Sequence, residues 1–400
     1  MFIQIPLLLM AIAIAIPCTI LLIECISAIV ASVSGLTPAA RHPCRNFPIA
    51  VLMPAHNETA VICETLAALT PQLSPQDTLL VVADNCTDDT ATLARQSGAT
   101  VLERDDKAHR GKGYALDFGL RFMAASPPAI VVIVDADCQF RQGTVRQLAD
   151  RAMAQQRPVQ AVYLISKSLQ PSLKEAVSAF AFKVKNLVRP LGLRQLNLPC
   201  SLTGTGMAFP WSVITGVDLA SGSIVEDMKL GSDVAIAGAP PLLCPDVTVV
   251  GPLPPSDDAA KTQRTRWEHG HLQLIARYCP QLVVQAVVQG RVDLIAIALD
   301  LLIPPLSLLV MLWLLITLLM TAASAFTSLW LPAFICYGVG VALMVAILSA
   351  WARFAQSDLP LQSLLSVPLY ILWKIPLYLK FLSKPQVEWV RTRREMQQNK

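Results

Sequence analysis

Apolar positions along the chain fall into three kinds of pattern. Residues 2 to 40 are nearly continuous hydrophobic sequence with a single charge, Glu24. The run from Ile5 to Val30 is long enough to cross about 30 Å of hydrocarbon. A cleaved signal peptide would open on a basic segment and carry a shorter apolar core. No Lys or Arg precedes this run, so residues 1–40 read as a retained transmembrane anchor. The second pattern lies near the other end. Leu301 to Ala352 contains no Asp, Glu, Lys or Arg, which leaves room for two spans with a turn near Thr321–Ser328, a hairpin within residues 291–358. Asp300, at its edge, is either interfacial or a buried polar contact. Residues 360–384 are apolar but broken by Pro368 and Pro376 and interrupted by Lys374 and Lys380. They read as a helix lying at the membrane surface, so that residues 359–400 form an interfacial helix and a basic tail; a short fourth span is the alternative.

Residues 41–290 show the third pattern. Short runs rich in Val and Ile (49–55, 78–84, 100–104, 130–137 and 159–166) alternate with helix-like segments at 59–73, 88–98 and 113–125. Nearly continuous apolar strands separated by helices predict an α/β domain with a mostly parallel sheet covered on both faces. Ligands bind such sheets beyond the carboxyl ends of the strands. The polar residues gather there: "PAHNE" after the first strand, "DNCTDDT" after the second and "DADC" after the fourth. In the last, Asp135 and Asp137 stand at i and i+2. On extended backbone they point the same way and repel unless a positive group stands beside them. A divalent cation is the usual partner; hydrated acids at a strand end are the plain reading. Thr87, Asp88 and Asp89 read as a helix start and need no further role.

Composition supports the spans. The chain is 54% hydrophobic and 15% charged, with mean hydropathy +0.51, too apolar for an ordinary soluble protein. Its net charge of +4 is too small to argue for nucleic acid. Ten cysteines make no CxxC pair, so neither a disulfide framework nor a zinc site is expected. Basic residues flank the hairpin, with Arg291 before it and Arg353 and the tail after it. By the positive-inside rule, residues 41–290 and the C-terminus are cytoplasmic, and Arg41 and Arg45 agree. The placement expected is a multi-pass protein of the inner (plasma) membrane.

Further chemistry is spread along the middle. No GxxxxGK[ST] loop occurs. "RGKGY" is either a flexible turn or a place where Lys112 meets a phosphate at a helix N-terminus. Glu226 and Asp227 precede a helix-like run, where carboxylates are either favourable dipole partners or a catalytic base. Gln263, Arg266 and Trp267 form QxxRW. Arg with a Gln one turn earlier can grip a phosphate, and Trp offers a flat stacking face; a basic, membrane-proximal helix is the plain reading. His269 and His271 form an HxH without a third clustered ligand and are read as incidental. The loop Ser201 to Trp211 is rich in Gly and Thr and either lines the site or is a plain turn.

Asp84, Asp135-Ala-Asp137, Glu226-Asp227 and Gln263-x-x-Arg266-Trp267 stand in an order and spacing that resembles the membrane-integrated family 2 glycosyltransferases. These include ceramide glucosyltransferases and the synthases of cellulose, chitin and hyaluronan. The resemblance covers about residues 48 to 270 and the flanking spans. Each motif alone is weak; four in order are strong. The resemblance implies a GT-A fold, a nucleotide-sugar donor and Mg²⁺ or Mn²⁺. It implies that Pro54, His56 and Glu58 of the "PAHNE" loop hold the nucleoside with Asp84, and that Lys112 lies near the nucleotide with Glu226. Asp137, helped by Asp135, would carry the metal, and Asp227 would be the general base. Gln263 and Arg266 would hold the diphosphate, and Trp267 would line the acceptor site.

Two departures shape the expected function. The second motif reads "VADN" where many relatives carry two acids, so that contact rests on Asp84 alone. Only three spans are expected, and an export channel built from three would need an oligomer or a partner. The expectation is therefore inverting transfer of one or few sugars to a lipid-linked or membrane-associated saccharide acceptor, among membrane lipids. A processive polysaccharide synthase shares every one of these residues and stays open. A non-catalytic scaffold has no physical reason to keep acids at strand ends. A nucleotidyl- or phospho-sugar transferase has no evident use for QxxRW.

Overall fold

The computed structural model describes residues 4–33, 47–166, 172–253, 256–364 and 367–383. Arg41, Arg45 and the basic tail, on which part of the topology reading rests, lie outside the described residues. Contacts divide the chain into two compact units: the described residues of Thr37–Ser168 and Pro199–Gly270, and those of Met1–Leu36, Leu169–Leu198 and His271–Pro385. The break at residues 169–198 lies inside the stretch that the sequence pattern treats as one domain.

The first unit holds one sheet of eight strands. These are β1 (Ile49–Ala55), β2 (Thr78–Asp84), β3 (Thr100–Arg104), β4 (Ile130–Ile133), β5 (Gln139–Phe140), β6 (Val159–Ile165), β7 (Met207–Pro210) and β8 (Leu242–Gly251). Their spatial order is β3-β2-β1-β4-β7-β6-β8-β5. The first four are parallel, as their continuous apolar character predicts. β7 then enters antiparallel between β4 and β6, and β8 lies parallel to β6 and antiparallel to β5. Alternate residues feed two cores. Val51, Met53 and Val81 pack with Ile62, Leu66 and Leu148. Leu52, Leu80 and Val82 pack with Leu116, Leu120 and Val234 on the other face. Burying each large aliphatic side chain stabilises by about 1.5–3 kcal/mol, which confines polar chemistry to the strand ends.

Three local expectations are corrected. The fourth strand stops at Ile133, and Asp135 to Asp137 lie on a turn, not on extended backbone; the Cys138 amide donates to the Asp135 carbonyl at 3.3 Å. The stretch 201–211 is loop only to Gly206, because Met207–Pro210 pairs as β7. The helix after β2 begins at Thr90, after Asp89, and its entry is shaped by Asp88, which accepts from the Thr90 amide at 3.1 Å and from its hydroxyl at 2.5 Å.

The second unit is helical. Gln4–Val33, Leu306–Thr327 and Leu331–Phe354 are long and apolar enough to cross a membrane. The turn of the hairpin is shorter and later than expected, at residues 328–330. Thr317, Thr321, Ser324 and Thr327 each bond a carbonyl four residues back, so these hydroxyls are satisfied inside the helix and do not end it. The apolar block starts with a separate helix, Val292–Leu302, closed by Pro304 and Pro305. The last segment is also less broken than its prolines suggest. A helix runs from Val367 through Pro376 to Ser383, with Pro368 in its first turn, where the missing N–H costs nothing. Lys374 does not face outward from it. It is buried, with its ammonium 5.5 Å from the centre of the Tyr370 ring.

Glu24, the lone charge of the first apolar helix, is buried against Arg189 of the helix Arg189–Gln195. The guanidinium Nε donates to Glu24 Oε2 at 2.9 Å, and Nη2 donates to Asp300 Oδ1 at 2.6 Å. Asp300 is thus a buried polar contact. Two carboxylates share one guanidinium, and all three residues are less than a tenth exposed. Removing the cation strands both acids. Arg189→Met should cost about 3–5 kcal/mol, read as a lower midpoint in thermal unfolding of the detergent-solubilised protein. Apolar replacement of all three residues together should recover most of that loss.

Candidate active site

Asp84, Asp135 and Asp137 stand at the carboxyl ends of β2 and β4, within the first unit, and Lys112, Glu226, Asp227 and Arg266 gather about Asp135. The helix Lys112–Met123 opens with Lys112, right after Gly111. The Lys112 ammonium donates to Asp135 Oδ1 at 2.5 Å and to the Gly204 carbonyl at 2.7 Å. Burial works against its charge, but Asp135, Glu226 and Asp227 outweigh it and hold the pKa above that of an ordinary lysine. The positive group beside Asp135 is therefore, in the first instance, a lysine.

The loop from Ser201 to Gly206 faces this lysine and is held from behind. Buried Gln160 accepts from the Thr203 amide at 2.8 Å and donates to the Thr205 carbonyl at 2.9 Å. The Asp135 amide donates to Thr205 Oγ1 at 3.0 Å. Gly204 has φ +94°, and a Cβ there would stand 3.3 Å from Asp227 Oδ2, so glycine both permits the turn and leaves room for the carboxylate.

Glu226 and Asp227 form the first turn of the helix Glu226–Ile236. Asp227 Oδ1 accepts from the Met228 amide at 2.8 Å. The helix Asp257–Gln289 carries Gln263, Arg266 and Trp267 on one turn. It reaches this place because residue 270 is glycine: a Cβ there would meet Val225 Cγ1 at 2.6 Å and Ile224 Cγ1 at 3.1 Å, the two residues before Glu226. The Arg266 charge acts on Glu226, and its buried Nε has no hydrogen-bond partner among the described residues. A buried, unsatisfied guanidinium N–H is a donor that an incoming anion would use.

Glu226 is pushed up to about 7 from the usual 4.5 by burial first and by Asp227 second, against the pull of Lys112 and Arg266. The folded state keeps this proton longer than the unfolded chain. Stability therefore falls as pH rises from about 4.5 to about 7 and is level above. Glu226→Gln should raise the unfolding midpoint by several degrees at about pH 8 and leave it unchanged at about pH 4.

Asp135, Asp137 and Cys138 bring one ligand atom each within 4.8 Å of one another, and among the described residues this is the one such group of three. Two carboxylates suit a hard divalent cation. Cys138 is fully buried, and burial pushes its thiol well above the ordinary value, so it brings a neutral sulfur poorly matched to such an ion. Charge agrees with a cation here. The carboxylates of Asp135, Asp137 and Asp227 outnumber Lys112 and Arg266 even while Glu226 keeps its proton. His269 and His271 form no part of this. Both are buried, and His271 Nε2 lies 3.0 Å from the Leu301 carbonyl.

A second cluster stands at the ends of β1 and β2. Asp84 Oδ1 accepts from Arg104 Nη1 at 2.6 Å and from Asn85 at 2.9 Å, and burial, only partly offset by Arg104, pushes its carboxyl up. His56 Nδ1 lies 2.7 Å from the Asp84 carbonyl, the Glu58 amide donates to Thr90 Oγ1 at 2.7 Å, and Pro54 lies within β1. β2 is two strands from β4, so the clusters are about 10 Å apart. Arg104 escaped the sequence reading, since an arginine ending a short strand carries no signal of its own. Gln160, near the start of β6, bonds a loop more than forty residues later in the chain, which no local pattern announces.

Residues 46–270 match the model of the family described as Glycosyltransferase like family 2, more than half of the chain. The chain belongs to this family. A curated protein of Bacillus subtilis (strain 168), named Probable glycosyltransferase YdaM, is 25% identical over 274 residues, 61% of this chain and 60% of that protein. The chain thus spans less than two thirds of that relative's length. Among solved structures, the mannosyltransferase PcManGT from Pyrobaculum calidifontis, in complex with GDP-Man and Mn²⁺, aligns with TM-score 0.50 at 19% identity over 86% of this chain and 100% of that one. Glucosyl-3-phosphoglycerate synthase from Mycobacterium tuberculosis, with Mn²⁺, UDP and phosphoglyceric acid, aligns with TM-score 0.39 at 22% identity over 57% of this chain and 78% of that one. The fold of this family 2 chain is GT-A, a mixed, mostly parallel sheet flanked by helices, as its motifs imply.

Proposed function

We propose that the protein is an inverting, metal-dependent glycosyltransferase that moves a sugar from a nucleotide-diphosphate sugar, in the first place a UDP-sugar, to a lipid-linked or membrane-associated acceptor. The observation that carries this reading is the meeting of Asp135, Asp137, Lys112, Glu226, Asp227 and Arg266 at one end of the sheet of a family 2 chain. Three helices long and apolar enough to cross a membrane favour an acceptor held at the bilayer, and a cytoplasmic face for the catalytic unit follows from the basic residues around them.

In this reading Asp84, with Pro54, His56 and Glu58, holds the nucleoside. Asp135 and Asp137 hold Mg²⁺ or Mn²⁺, which when bound neutralises charge on the diphosphate. Arg266 turns its unpaired N–H to the same anion, and Gln263 supports it from one turn earlier. The charge these groups face grows as the diphosphate departs, so they act most strongly in the transition state. Asp227 takes the proton of the attacking hydroxyl on the opposite face, and one displacement inverts the anomeric centre. Trp267 offers the acceptor a stacking face.

The test is release of nucleoside diphosphate by the purified, detergent-solubilised chain given a panel of UDP-, GDP- and dTDP-sugars, Mn²⁺ or Mg²⁺, native lipid extract and an EDTA control. Metal-dependent release from one donor with the sugar recovered in lipid supports the proposal. A long polymer would replace it with a processive synthase. Neither release nor donor binding across the panel would sink it.

A further inference from the structure

Lys112 touches three parts of the site with one ammonium. It is bonded to Asp135 Oδ1 at 2.5 Å and to the Gly204 carbonyl at 2.7 Å, and its charge acts on Glu226 and Asp227. Its side chain is only 17% exposed. The backbone of Asp135 is tied to the same loop, because its amide donates to Thr205 Oγ1 and Thr205 follows Gly204.

The metal proposed above needs the same carboxylate. A divalent cation and an ammonium sharing one aspartate repel each other strongly where water is scarce. We infer that Lys112 is a resident stand-in for the cation at Asp135, and that loading the metal transfers its ammonium from Asp135 to the diphosphate of the donor. This inference rests on the proposed metal role of Asp135 and Asp137.

Three consequences follow from the geometry. Metal alone binds weakly, because it must displace a half-buried ion pair without giving the lysine a new partner. Metal and nucleoside diphosphate bind with positive cooperativity, because the diphosphate supplies that partner and linkage makes the effect reciprocal. The exchange also reaches the proposed base. The carbonyl that Lys112 leaves belongs to Gly204, whose Cβ position lies 3.3 Å from Asp227 Oδ2. Lys112 is in this respect a positioning residue as well as an anion contact.

The experiment is direct Mn²⁺ binding to the full detergent-solubilised chain, followed by the electron paramagnetic resonance of free Mn²⁺, with and without UDP or GDP. Lys112→Gln removes the charge but keeps an N–H for the Gly204 carbonyl; Lys112→Met serves as a second neutral variant should the first fail to fold. Both should bind Mn²⁺ alone roughly tenfold more tightly than the natural protein, the size expected for one nearby charge. Both should also lose most of the tightening that the nucleotide brings. Lys112→Arg should behave as the natural protein does. Unchanged or weaker Mn²⁺ binding by folded neutral variants, with Asp137-dependent binding still present, would overturn the exchange and leave the metal site standing. No Asp137-dependent binding by any form, with or without nucleotide, would overturn both.

Discussion

Asp227→Asn should lower kcat by about a thousandfold while changing the affinity for nucleoside diphosphate and Mn²⁺ by less than about threefold. The substitution is nearly isosteric. Its oxygen can still accept from the Met228 amide, as Asp227 does at 2.8 Å, so the first turn of the helix Glu226–Ile236 keeps its shape. The space left by Gly204 is unchanged. What disappears is the basic oxygen that takes the acceptor proton, an interaction made only as the acceptor attacks. Loss in kcat without loss in donor binding is the signature of such a group. The neighbouring Glu226 sharpens the test. Held near neutrality, it has the poise expected of a general base. A much larger kcat loss in Glu226→Gln than in Asp227→Asn would move the base by one residue and refute the assignment made here.

Asp137→Ala should behave in the opposite way. Removing one of two carboxylates from the cation site should weaken Mn²⁺-dependent nucleotide binding by about a hundredfold or more, and transfer should fall to the level seen with EDTA. Cys138 is a poor replacement, because its soft sulfur is ill matched to a hard divalent cation. The fold should survive, since Asp137 lies on a turn beyond β4 and outside both hydrophobic cores. Calorimetric titration with UDP or GDP, with and without Mn²⁺, reads this difference. Nucleotide affinity that stayed metal-dependent in Asp137→Ala would remove the carboxylate pair from the proposed centre.

The parallel half of the sheet was legible because β1, β2 and β4 are buried on both faces, so their sequences have no polar positions between their ends. That same rule exposed Asp84, Asp135 and Asp137. The antiparallel half was not legible. β7 is four residues long and follows two glycines, and β8 contains Pro245 and Asp246 next to an irregular register against β6; neither makes a clean run. Convergence of the two acids was expected for a reason the structure replaces, since a turn and not a pleated strand brings them together. The lysine partner of Asp135 lies 23 residues away on another element, and no local pattern encodes such a pairing. Arg189 joins Glu24 and Asp300 across 165 and 111 residues and was silent for the same reason.

That triad also has a history in time. Ribosomes add about 5–20 residues per second, so Arg189, which is 165 residues later in the chain, is made roughly ten to thirty seconds after Glu24. Asp300 follows after a further 111 residues. Throughout that interval an apolar helix exists with a carboxylate and without its counter-charge. The helix Gln4–Val33 is therefore made well before the residues that seat its carboxylate. A chain that ends before Arg189 lacks the cation that offsets the cost of burying this carboxylate.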